Sequence, residues 1–137
     1  MDGQKNMKVI LSIIIILFSQ QLFATDNLSQ LDYFGTWNSE WTVIEGEKQV
    51  LSISKDKSSI FERRFKDGVK QIFKSSDIEY LDDLLIIKYN NKKGQLIHKL
   101  VMSGWHSYGK YKLYGTMYMY NKGTQYNGLT VSLKRID

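Results

Sequence analysis

The sequence predicts an all-β fold: an antiparallel 8–9-stranded meander barrel preceded by a cleavable signal peptide. Three observations carry this. Short runs of alternating apolar and polar residues recur about every ten residues, with almost no helical period between them. The runs are divided by turn signals built from Gly, Asn and Asp, in a chain with no proline. Nine Tyr, six Phe and three Trp give a heavy aromatic load. A sheet this aromatic is better closed than left with exposed edges, which favours a barrel over an open sandwich.

Residues 25–32 are polar and read as a short tail or one helical turn before the barrel domain at 33–137. Tyr33 to Ile44 is the first extended stretch, and Glu45 to Lys48 is a turn. Gln49 to Ser54 places Leu51 and Ile53 on one face, and Lys55 to Ser58 turns the chain. Ser59 to Phe65 places Phe61, Arg63 and Phe65 on one face. Asp67-Gly68 supplies the positive φ that a tight hairpin requires, and Val69 to Lys74 follows. Ile78 to Leu81 is short and ends at Asp82-Asp83. Leu84 to Tyr89 is the most apolar run and reads as a strand covered on both faces. Gln95 to His106 alternates Leu96, His98, Leu100 and Met102 against Ile97, Lys99 and Val101. Tyr111 to Tyr120 is a long strand, and Tyr126 to Ile136 closes the chain with Leu129, Val131 and Leu133 on one face.

Residues 1–24 have the make-up of an export signal. Lys5 and Lys8 precede the apolar run Val9 to Phe18, and Ser19 to Ala24 turns polar and ends on a small residue. Met7-Lys8 also suits a start. A bilayer core needs roughly 20 helical residues, so this run is short for a span. Cleavage after Ala24 is expected, the alternative being an uncleaved N-terminal anchor. With no cysteine, a lipid-modified processing site is excluded, as are a disulfide framework and thiolate chemistry. The expected location is the periplasm of a bacterium, or full secretion, with no stable membrane span once the signal is removed. The net charge of +5 is spread along the chain without a basic tract, so no nucleic-acid partner is expected.

Gly35-Thr36-Trp37 opens the first strand. Here the chain resembles the lipocalin-like barrels of the calycin group, whose first strand carries a Gly-x-Trp signature. The resemblance implies that Trp37 closes one end of the barrel under a basic residue from the last strand, Arg135 or its neighbour Lys134. It covers the two ends of the chain and the strand count. A second family motif near Glu79 to Asp82 and a C-terminal helix are missing. Gly-Thr-Trp also opens avidin-like barrels, but no biotin-type ligand set can be placed here.

The expected function is non-catalytic binding of a small apolar or amphipathic ligand inside the barrel. Phe61, Phe65, Leu100, Met102, Met117 and Met119 are the expected apolar lining. Trp41, four residues after Trp37, shares its face in a regular strand and would add a wall. Trp105 would sit at a mouth. Arg63 could meet a ligand carboxylate. Gly115, with soft Met117 and Met119 on the same face, could leave room for the ligand. The opposite face of the same strand carries Tyr114, Tyr118 and Tyr120, a composition typical of interface cores. It supports the alternative of a filled core, with this face used to form a homodimer or to bind and inhibit a periplasmic protein.

No enzyme is expected. His98 and His106 lack partners at metal-ligand spacing, so neither a metal nor a cofactor is expected. His98 reads as an inward or half-buried strand residue. The carboxylates Glu79, Asp82 and Asp83 cluster in a turn, and no serine lies in a nucleophile motif. Activity lost on changing His98 or Asp82 would revive an enzymatic reading.

Overall fold

The computed structural model describes residues 26–136, so the signal segment 1–24 lies outside the described residues. Asp26–Asn27 forms a short strand (β1), and Gln30–Tyr33 a single 3-10 turn. Nine further strands follow: β2 (Gly35–Thr42), β3 (Lys48–Ile53), β4 (Ser59–Arg64), β5 (Lys70–Ser75), β6 (Asp77–Leu81), β7 (Leu84–Asn90), β8 (Leu96–Ser107), β9 (Lys110–Asn121) and β10 (Thr124–Arg135). They form one antiparallel sheet in the order β5-β4-β3-β2-β10-β9-β8-β7-β6, with β1 added against the end of β8.

This order is a nearly closed barrel. The first long strand pairs with the last, Trp37 lying opposite Arg135. The remaining seam falls between β5 and β6, which are separated only by Ser76. Together they act as one bent strand whose first half pairs with β4 and second half with β7. Side chains stitch the bend. The Ser75 hydroxyl donates to the Lys88 carbonyl and accepts from the Asp77 amide at 3.0 Å. Ser59 donates to the Ser75 carbonyl at 3.1 Å, with the Tyr89 hydroxyl 3.3 Å from the same Oγ. Burial holds the Tyr89 phenol well above the usual tyrosine range, so it stays protonated and able to bond.

Inward residues alternate along each strand and fill the interior. Trp37, Leu51, Phe61, Leu85, Ile87, Leu100, Met102, Leu113, Met117, Val131 and Leu133 have no accessible surface, so no water-sized space touches them. The pairings of Leu51 with Phe61, Ile87 with Leu100 and Leu100 with Met117 put like with like across the ladders. The strand Leu84–Asn90 is covered on one face only: Leu85, Ile87 and Tyr89 are buried, while Leu84 is exposed and Ile86 half-buried on the outside. The short, apolar composition hid an ordinary half-buried alternation.

Gly115 makes no room for a ligand. A Cβ there would lie 2.0 Å from the Val101 carbonyl oxygen and 2.7 Å from Met102 Cα. The glycine serves close approach of β8 and β9, and the atoms it faces are backbone that cannot step aside. Gly115→Ala is therefore expected to cost about 1–3 kcal/mol in urea unfolding. An unchanged midpoint would show that the two strands carry slack.

Candidate functional site

The barrel has two unlike ends. At the base lie Trp37, Ile53, Ser59 and Arg135; at the mouth lie the connections at 43–47, 65–69, 91–95 and 122–123. The base is plugged. Leu28 N donates to the Gly104 carbonyl at 3.3 Å, bringing the leading segment across this end. The 3-10 turn then delivers Tyr33, whose carbonyl accepts from Trp37 Nε1 at 3.0 Å and whose ring meets Tyr80 at 5.3 Å. The Arg135 guanidinium is 6.0 Å from the Trp37 ring centroid and 4.4 Å from that of Tyr111, and its Nη1 donates to the Asp32 carbonyl at 2.8 Å. Arg135, rather than the exposed Lys134, thus covers the base, with Tyr111 as its closer platform.

The mouth is polar inside. The inward face of β3 continues beyond Gln49 to Glu47, and both are buried. Arg63, inward on β4, forms an ion pair with Glu47 through its Nε, and Gln49 Nε2 donates to the same carboxylate oxygen at 3.3 Å. The Gln49 backbone N–H donates to Ser39 Oγ at 3.1 Å. The Arg63 guanidinium also lies 4.9 Å from the Phe65 ring. His98, inward on β8, packs its ring 4.3 Å from that of Phe73. Arg63, Phe73, His98 and Met119 wall a recess of about 410 Å³, edged by Gln71, Ile72 and Tyr126.

Burial, and then the charge of Arg63, hold the His98 imidazole below the usual histidine range. In the unfolded chain it titrates near about pH 6.5. Between the two values the unfolded state binds more protons, so stability climbs with pH there and is lost on acidification. The melting temperature should fall as pH drops from about 7 to about 5, and His98→Gln should flatten that slope. An equal slope in both proteins would assign the dependence to other groups.

The expected ligand residues separate into three groups. Arg63 and Met119 border the recess, and Phe65 lies against Arg63. Phe61, Leu100, Met102 and Met117 belong to the packed core below and line no open space. Trp41 and Trp105 are on the outside. Trp41 is 49% exposed because β2 bulges: Ser132 pairs with Trp41 but Leu133 with Ser39, so the extra residue Glu40 reverses the parity set by Trp37. Trp105, opposite Lys112, borders an outer groove near the base with Tyr108 and Lys110.

Tyr114, Tyr118 and Tyr120 face outward. Tyr114 is 46% exposed, while Lys99 places its ammonium 5.7 Å from both the Tyr118 and the Tyr120 ring. The register builds an outer row across five strands, Leu84–Ser103–Tyr114–Ser132–Trp41, in which Ser132 is buried between two aromatic neighbours.

Glu47, Gln49 and Phe73 were not legible as site residues, and Glu47 read as part of a turn. The available signal was period-two spacing: Glu47, Gln49, Leu51 and Ile53 continue one face. Tyr126 is the extra residue of a second bulge, between the Gln125–Tyr120 and Asn127–Met119 pairs. Among the described residues no group of three or more His, Asp or Glu could hold a metal ion.

Fold and site together define a small antiparallel barrel with a plugged base, a filled middle and a polar mouth. No family model, curated protein or solved structure matches the chain.

Proposed function

We propose that this chain is an exported, non-catalytic binding protein, lipocalin-like in manner, that takes a small amphipathic molecule at the barrel mouth. The observation that carries this reading is the recess itself. It combines apolar walls, Phe73 and Met119, with two polar groups, Arg63 and His98, at the open end of a rigid barrel. Its volume of about 410 Å³ lies at the low end of small-molecule sites, and barrel mouths are a favoured place for them. The filled middle limits the ligand to a head and a short apolar portion, with the rest outside.

A second reading has its own support. The row containing Trp41 and Tyr114 is an exposed aromatic stripe of the kind that interface cores are enriched in, and it suits a homodimer or a periplasmic protein partner.

Native mass spectrometry of the gently purified, full-length gene product tests both. A protein mass beginning at Thr25 is the expected result of export. A ligand-sized excess, lost on organic extraction and absent from a Met119→Trp variant that fills the recess, is the expected sign of binding. A clean monomer in every preparation counts against the mouth. A dimer abolished by Tyr114→Lys would move the function to the outer row.

A further inference from the structure

The upper interior has more hydrogen-bonding capacity than its own residues use. Both bonds to the Glu47 carboxylate converge on Oε1, from Arg63 Nε and Gln49 Nε2. That leaves Glu47 Oε2 and Gln49 Oε1 buried without a partner, and His98 Nδ1 is a third such atom. Of these three residues, His98 belongs to the recess lining, together with Arg63, whereas Glu47 and Gln49 are not among its walls. An unpartnered buried polar atom costs about 1–3 kcal/mol, so a group seated in the recess gains by bonding His98. The ion pair uses only Nε of Arg63, so the two amino nitrogens of the guanidinium stand outside it. The recess therefore joins the unpartnered His98 nitrogen to the unused amino groups of Arg63, whose charge acts on that imidazole.

The formal charge of this cluster is already balanced. The side chains of Arg63 and Glu47 are 6% and 0% exposed and neutralise each other. His98 is held neutral by its surroundings. A ligand carboxylate would meet an Arg63 charge already matched by Glu47, and an ammonium would bring an unmatched positive charge towards Arg63. Either pays the penalty of a buried, unmatched charge. A hydroxyl adds no charge, donates one bond and accepts two, which answers both kinds of unspent group.

We propose that the mouth recess, read as a binding site, selects an uncharged, hydroxyl-bearing head and rejects carboxylate and ammonium heads on the same apolar chain. This replaces the expectation that Arg63 meets a carboxylate, because Glu47 already occupies that role.

Calorimetric titration of the processed protein with monodecanoylglycerol, decanoate and decylamine, each below its micelle concentration, tests it. The three share a chain and differ in head. Monodecanoylglycerol is expected to bind at least about ten-fold more tightly than either charged probe. Glu47→Gln leaves the Arg63 charge unmatched and should swing the preference to decanoate. Should that variant not fold, His98→Phe removes the unpartnered imidazole nitrogen of the recess and should narrow the monodecanoylglycerol advantage. A wild-type preference for decanoate or decylamine, or three equal affinities, would overturn the head assignment while leaving the mouth a binding site. Failure of all three probes to bind would instead overturn the binding reading, and the head assignment with it.

Discussion

Arg63→Leu is expected to lower unfolding free energy by about 3–5 kcal/mol, because it strands a buried carboxylate. Glu47 has no exposed side-chain surface, and its remaining bond would come from the neutral Gln49 amide. Water cannot solvate the charge without opening the mouth. Glu47→Leu in the wild-type background strands the guanidinium and should cost a similar amount. The double variant Glu47→Leu/Arg63→Leu removes both charges, and its stability should return to the wild-type value or exceed it by about 1–4 kcal/mol. A urea-unfolding double-mutant cycle reads the coupling directly. Additive losses would show that the two side chains do not depend on each other. The comparison also separates stability from function: a double variant that is stable but no longer distinguishes ligand heads would show the pair retained for selectivity.

Trp37→Ala is expected to cost about 3–5 kcal/mol, and to do so at the opposite end of the molecule. The indole is fully buried and its Nε1–H holds the Tyr33 carbonyl, so the change opens a cavity and frees the 3-10 turn together. Arg135 keeps Tyr111 and the Asp32 carbonyl, so the base should loosen without the barrel opening. Amide exchange should accelerate first at Leu28 and Asp32, whose N–H groups bond to Gly104 and Ser29. Binding at the proposed mouth site should be unchanged in the folded fraction. Uniform acceleration across β7–β10 would mean instead that Trp37 supports the whole barrel cooperatively.

These two variants also mark what could be read in advance. Trp37 was legible because its motif and its place at the start of a strand are local features. The strands were legible for the same reason: alternation in Leu51/Ile53, His98/Leu100/Met102 and Leu129/Val131/Leu133 reports a half-buried ladder directly. Trp41 was misplaced because parity holds only while a strand is regular, and the bulge at Glu40 leaves no mark in composition. Met117 and Gly115 were read as space, but whether a soft side chain fills or lines a cavity depends on how closely facing strands approach.

The sequence by itself determined an all-β meander and the faces of its regular strands, because each follows from a period of two and from turn chemistry a few residues long. Only the tertiary structure decided that the barrel middle is filled and its base plugged, and that a balanced Glu47–Arg63 pair with unspent acceptors sits beneath the mouth. Those properties depend on registers and bulges between strands distant in the chain. Charge compensation and packing are set by which side chains meet, which no local pattern records.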